Sequence, residues 1–258
     1  MHAPALRPRS SSELLDAAFQ IVRTRFGPLT VLAAVAALPS VLGYAWLIVG
    51  ISTNPAEAMS LPTALSALAV NLLASVWWMI VSGALIVAVS DAYLGRRVSP
   101  GVAIERALSR AGTIAGAMLA KWILIYIGFI VLLVPGVYLM LRYFAVPETV
   151  LLEDGGVGRA LDRSAELSKG RKGKILKTLA LAWAILIGVY IAFYTAIALG
   201  ATVVPRLAAT VGLVVTLGMA VLLQPLWYAI TTLLYYDMRV RHEAFDLSLM
   251  AEELEKQG

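Results

Sequence analysis

Apolar positions along this chain gather into six long runs, near 28–50, 63–90, 112–134, 137–152, 175–200 and 207–236, with polar stretches between them. Most hold the roughly 20 residues that a helix rising about 1.5 Å per residue needs to cross about 30 Å of hydrocarbon. The fourth is shorter, and Arg142 and Pro147 interrupt it after a Pro135-Gly136 turn. It predicts a tilted or broken helix inside the bundle, because lipid offers no partner to a freed backbone group. A five-span arrangement with a re-entrant segment there is the competing topology.

Three shorter stretches, near 12–26, 99–110 and 158–168, carry apolar residues at helical spacing against a polar face. In the first, Leu15, Phe19, Val22 and Phe26 oppose Glu13, Asp16 and Gln20. Ser12 and Ser99 occupy N-cap positions, and Pro100 suits a first helical position. Each stretch precedes an odd-numbered run. The pattern therefore predicts an all-α fold, a polytopic membrane helix bundle. Its six transmembrane helices form three repeats of one interfacial amphipathic helix plus one transmembrane hairpin. The even-numbered runs end alike in two cases. Arg142-Tyr143-Phe144-Ala145-Val146 leads to Glu153, and Leu226-Trp227-Tyr228-Ala229-Ile230 leads to Asp237 at the same separation. The second run ends on Asp91 ahead of Arg96-Arg97, but its Trp77 and Trp78 do not align. The whole chain, 1–258, reads as a single integral membrane domain closing in a short tail at 237–258.

Charge placement sets the orientation. Arg7, Arg9, Arg23 and Arg25 precede the first run, and Arg96, Arg97, Arg106 and Arg110 follow the second. Seven basic residues lie between the fourth and fifth, and Arg239, Arg241 and Lys256 close the chain, while the opposite side holds only Arg206. The positive-inside rule places both termini and both basic loops in the cytoplasm, and a five-span arrangement would scatter this asymmetry over two faces. The expected location is the bacterial cytoplasmic (inner) membrane. At 60% hydrophobic and 14% charged residues, against about 45–50% and about 25% in soluble chains, lipid must cover much of the surface. The net charge of +5 follows topology, so no nucleic-acid partner is expected. The apolar run after Arg25 extends past Ala34-Val35-Ala36, which argues for an uncleaved first span over a signal peptide.

Reactive chemistry is sparse. With no cysteine, disulfides, thiolate metal sites and cysteine nucleophiles are excluded. His2 and His242 lie in the terminal segments, and no GxSxG, HExxH, Walker or EF-hand pattern occurs. No catalytic residue, metal site or cofactor is expected. Asp154-Gly155-Gly156-Val157-Gly158 could hold phosphate ahead of a helix, but it reads first as a connection. Gly112-x-x-x-Gly116 resembles a close-packing motif. Polar residues within spans are costly and mark candidate sites: Asn71, Arg142 and Gln224 are the expected lining of a polar cavity. Arg142 would lie roughly 9 Å below the outer turn, level with Gln224. Lys121 is expected to snorkel to an interface, and Glu148 to sit near the cytoplasmic headgroups. The densest basic cluster is Arg159, Arg163, Lys169, Arg171, Lys172, Lys174 and Lys177. It is the candidate site for anionic lipid headgroups, worth about 1 kcal/mol per basic residue near the surface.

Several segments together resemble a bacterial family, the membrane domain attached to some glycerophosphoryl diester phosphodiesterases and related inner-membrane proteins. Leu234-Tyr235-Tyr236-Asp237-Met238-Arg239-Val240-Arg241-His242-Glu243-Ala244-Phe245-Asp246-Leu247 is similar to its closing signature, with Ala244 where the family has glycine. Pro135-Gly136-Val137-Tyr138, Leu152-Glu153 and Ala160-Leu161-Asp162-Arg163-Ser164 resemble its central motif, and Arg9 to Pro28 its start. The resemblance implies a membrane module without known chemistry, since a phosphodiesterase would need a separate metal-binding domain. Two functions from different classes follow as expectations. One is a non-enzymatic module that engages anionic membrane lipids or a membrane protein partner at its cytoplasmic face. The other is a small transporter or lipid-moving protein with a polar pathway near Arg142 and Gln224.

Overall fold

In a computed structural model, residues 7–54, 60–203 and 205–243 are described, and they form helices joined by short connections, with no strand among them. The order is α1 (Ser11–Thr24), α2 (Phe26–Thr53), α3 (Leu61–Tyr93), α4 (Pro100–Ser109), α5 (Ala111–Val131), α6 (Leu133–Arg142), α7 (Val146–Leu152), α8 (Val157–Leu167), α9 (Lys172–Val203) and α10 (Pro205–Glu243). Among the described residues, four helical stretches are long and apolar enough to cross a membrane: Phe26–Trp46, Leu61–Tyr93, Ala111–Val131 and Lys172–Leu199. The sixth expected run lies within α10, and the side chains of much of its first half fall outside the described residues, as do 55–59 of the expected outer loop and 244–258 of the tail.

The three amphipathic stretches are helices (α1, α4 and α8), each directly preceding a long apolar helix. In α1 the N-cap is Ser10, not Ser12. Its Oγ accepts from Glu13 N at 3.2 Å while the Glu13 carboxylate accepts from Ser10 N at 2.7 Å, a capping box that satisfies two helix-end donors. The Ser10 N–H foremost, then the Ser10 hydroxyl and Arg7, hold the Glu13 carboxyl below its ordinary pKa. The buried face also differs from expectation. Ser11, Leu14, Leu15 and Ala18 pack inward, whereas Phe19 and Phe26 are exposed. Ser99 precedes α4 without a side-chain cap bond, and Pro100 stands in the first turn as expected.

The fourth apolar run departs most from a simple span. The chain reverses at Leu132, which is extended, and Pro135 falls inside the first turn of α6, where its missing N–H has no helical acceptor to serve. α5 and α6 cross closely at two glycines. A Cβ on Gly128 would lie 3.0 Å from the Gly136 Cα, and one on Gly136 would strike the Phe129 ring. α6 then stops at Arg142, and α7 adds only 7 residues, so neither piece alone is long enough to span. The groups freed by the break find partners on α8. Ser164 Oγ accepts from Ala145 N and donates to the Arg142 carbonyl, each at 3.1 Å, and Ser168 Oγ lies 3.2 Å from the same carbonyl. Thr149 Oγ1 donates to Ala160 O at 3.2 Å. Backbone groups away from water are almost always paired, and here side chains do the pairing. In the GxxxG pair only Gly116 makes a close approach, to Val157 of α8.

α10 runs through the core. Leu226, Ala229, Ile230, Leu233, Leu234, Tyr235 and Met238 are buried against Leu14 and Ala18 of α1, Leu29 and Leu32 of α2, and Leu85 and Val89 of α3. Residues 237–243, expected to open the tail, continue this helix. Toward the far ends of α5 and α6 the surface is apolar, with Ile130, Val131, Leu133 and Val134 exposed, as lipid contact requires.

A proline inside α2 makes a test of the packing. Pro39 has no N–H for the carbonyl four residues back, that of Val35, and Trp77 Nε1 of α3 donates to it at 3.0 Å. Trp77→Phe is expected to lower stability by about 1–2 kcal/mol, measured by unfolding in mixed micelles. Adding Pro39→Ala, which restores the helical donor, should recover most of that loss; a double variant no better than the single would exclude this account.

Candidate functional site

One end of the bundle is polar, and three acids at the ends of returning segments organise it. Asp237, 3% exposed, accepts from Arg9 N at 2.7 Å and Arg241 Nε at 2.9 Å and pairs with Lys174. Glu153 accepts from Arg163 Nε at 2.8 Å and from the Tyr235 hydroxyl at 2.7 Å, with Arg239 Nε at 3.5 Å. Arg163 also pairs with Glu166 at 2.9 Å and with Glu243. Burial works against the Arg163 cation, but Glu166 and Glu153 outweigh it and push its pKa up. Asp91 is the loosest of the three, with Arg96 and Arg106 each 3.9 Å from one of its oxygens.

These pairings change the meaning of the basic cluster. Arg171 donates to the Arg241 carbonyl at 2.8 Å, Lys172 lies 4.7 Å from the Tyr138 ring centre, and Lys174 binds both Asp237 and the Arg9 carbonyl. These three are half-buried structural groups, not the solvated charges expected from sequence. Arg163 is committed to carboxylates as well. Among the described residues, Arg159, Lys169 and Lys177 are exposed with no acidic partner, and so are Arg23 and Arg97.

Two open clefts lie among these groups. One, of about 980 Å³, lies between Glu153 and Arg239 on one side and Arg159, Asp162, Arg163 and Glu166 of α8 on the other, and its charges balance. The second, of about 510 Å³, gathers Arg96, Arg106, Arg110 and Arg239 against Asp91 and Asp154 over an apolar floor. Arg110 pairs with Asp154, whose φ of 52° places it in the left-handed region. Sequence reading saw these arginines only as topology signals. What assembles them is the meeting of α3, α4 and α10 with the connection after α7, which no local pattern shows.

The intramembrane candidates are not brought together. Asn71 is exposed, bonds its own helix through Ala67 O at 3.0 Å, and borders a narrow gap between α2 and α3. Arg142 lies beside α8 at its carbonyl and over the Tyr143 ring, with its Nε buried and unpartnered. Gln224 is buried on α10, its amide lying beside the Tyr228 hydroxyl and outside hydrogen-bond geometry with any of the described residues. Two residues read as peripheral turn inward instead. Glu148 is 1% exposed with one oxygen unpartnered, and Lys121 acts on it electrostatically from α5 while reaching toward Phe144 O at 3.5 Å. Ser82, Glu148 and Gln224 all lie beside Tyr228. Tyr228 closes the inner side of a mainly apolar cleft of about 370 Å³ with Trp78, Met118 and Trp122. Among the described residues, no three His, Asp or Glu side chains converge as metal ligands would. No family model, curated protein or solved structure matches this chain.

Proposed function

We propose that this chain is a non-enzymatic, multi-pass module of the bacterial inner membrane, both termini cytoplasmic, whose cytoplasmic face engages anionic lipid. The fourth crossing is then the α6–α7 pair and the sixth is α10, completing three repeats of interfacial helix and hairpin. The observation that carries the reading is a surplus of cations at the polar end. Among the described residues Arg23, Arg97, Arg159, Lys169 and Lys177 are exposed without acidic partners and outnumber Asp16, Glu105 and Asp162, the exposed acids outside ion pairs, while Glu153 and Asp237 are taken up by other residues. A leaflet bearing anionic headgroups attracts such a surface. The resemblance to phosphodiesterase-linked membrane domains supports the same role, and a membrane protein partner on this face is compatible with it. A second reading, a small transporter or lipid-moving protein, draws on the buried polar group of Glu148, Lys121 and Gln224. Asn71 and Arg142, expected to line its pathway, stand apart from that group.

The test uses the full chain in mild detergent. Arg159→Gln, Lys169→Gln and Lys177→Gln combined should at least halve the phosphatidylglycerol and cardiolipin retained in native mass spectra. Raising salt from 0.1 M to 1 M should weaken wild-type retention as the Debye length falls from about 10 Å to about 3 Å. A single cysteine placed at exposed Lys169 should resist an impermeant thiol reagent added outside intact cells. External labelling there would overturn the orientation, and undiminished lipid retention would overturn the lipid reading.

A further inference from the structure

We infer that the 510 Å³ cleft at the ends of α3 and α10 is a phosphate site, with Arg96 and Arg106 as its principal ligands; this deepens the anionic-lipid reading and rests on it for the lipid source. The case begins with what these arginines lack. Each has a guanidinium nitrogen 3.9 Å from Asp91, beyond the 2.7–3.2 Å of an N–H···O hydrogen bond. Asp91 thus holds both cations near the cleft without taking up their donors. Their side chains are 62% and 56% exposed, so they face the mouth and can close on a ligand. Arg163 in the larger cleft differs, being already bonded to Glu153 and Glu166 and paired with Glu243. The larger cleft offers one unpaired guanidinium, Arg159, among three carboxylates, whereas two arginines with spare donors meet in the smaller one.

The remaining lining suits a phosphate ester better than a carboxylate or a bare anion. Arginine presents its N–H groups as a fork matching phosphate oxygens, and two forks on one group give four charge-assisted bonds. Arg110, tied to Asp154, and Arg239, tied to Glu153 and Glu243, add positive field without needing to move. Ser90 Oγ and the Tyr236 hydroxyl, 2.6 Å apart, supply neutral partners deeper in the cleft. Leu94, Leu151 and Leu152 form an apolar floor that a free inorganic ion leaves uncovered and a glycerol backbone or upper acyl chain would cover. The shared chemistry is a phosphate mono- or diester, supplied by a lipid headgroup or by a soluble phosphate ester.

Three probes on the full chain in detergent separate the sources: dioctanoyl phosphatidic acid, glycerol 3-phosphate and inorganic phosphate. Arg96→Gln with Arg106→Gln is expected to weaken dioctanoyl phosphatidic acid at least tenfold, with Arg7→Gln plus Arg25→Gln, which neutralise two basic residues outside both the cleft and the lipid-facing cations, within twofold of wild type. Asp91→Asn should tighten binding about threefold, because it removes the negative charge beside both arginines; a purely structural role for Asp91 predicts no gain. Phenylglyoxal footprinting of the unsubstituted protein gives a readout independent of folding. The lipid should protect Arg96 and Arg106 from modification and leave Arg97 reactive. Equal weakening by both glutamine pairs, with no protection, would overturn the site while leaving diffuse lipid attraction intact. Protection by glycerol 3-phosphate but not by the lipid would support the site and overturn its lipid source. Binding of none of the three would overturn the site, while retention of phosphatidylglycerol in native spectra would still decide the broader reading separately.

Discussion

Replacing Asp237 with alanine is expected to destabilise the folded bundle by about 3–5 kcal/mol, the loss typical when one partner of a buried ion pair is removed. The carboxylate is 3% exposed and binds Arg9 N, Arg241 and Lys174, which come from the chain start, from one turn further along α10 and from the start of α9. Alanine leaves two cations side by side with no counter-charge and strips Arg9 N of its acceptor. Asp237→Asn keeps an acceptor for that N–H but neutralises nothing, so an intermediate loss is expected. Lys174→Met in the Asp237→Asn background should recover part of it by removing one of the two like charges. Unfolding midpoints in dodecyl sulfate mixed micelles supply the measurement. A loss under about 1 kcal/mol for the alanine variant would mean that solvent already serves these groups.

That network also shows where sequence reading reached its limit. Four of the six apolar runs were legible as spans because hydrocarbon thickness imposes a length, and the short helices because their periodicity is local. The matched spacing of Glu153 and Asp237 behind similar aromatic segments was visible too, and both acids prove to be hubs. Partner choice was not visible. Lys174 looked like one more solvated charge in a dense run, yet its carboxylate lies 63 positions away and its carbonyl acceptor 165. Charge density is a property of the chain, whereas charge compensation is a property of the fold. The Arg142 carbonyl shows the same gap: the helix ends there, and Ser164 of α8, 22 positions further on, donates to it. Ser10 was a different kind of miss, since Ser10 and Glu13 stand at capping-box spacing in the sequence itself. The arginine cleft needed α3, α4 and α10 assembled before Arg96, Arg106 and Arg239 could be seen as neighbours.

Lys121→Met is expected to be more damaging than its only partly buried position suggests. Glu148, on α7, is 1% exposed with one oxygen unpartnered, and Lys121 on α5 is the cation acting on it, with Thr231 of α10 beside it. An uncompensated charge in a low-dielectric interior costs several kcal/mol, so losing the lysine should lower stability by about 3–5 kcal/mol. Glu148→Gln keeps shape and hydrogen-bonding atoms and leaves the partly exposed lysine with the Phe144 carbonyl within reach, so a smaller loss is expected. The double variant removes both charges together. It should therefore be more stable than Lys121→Met alone, with a coupling of about 1–3 kcal/mol between the two positions. Unfolding free energies of the four proteins in one detergent mixture close the cycle. Additive losses would show that Lys121 and Glu148 act independently, leaving Glu148 to be held by Thr231 and the helix backbone. The coupled result would instead fix the broken α6–α7 segment to α5 by charge as well as by packing, and explain why so short a pair of helices keeps one position.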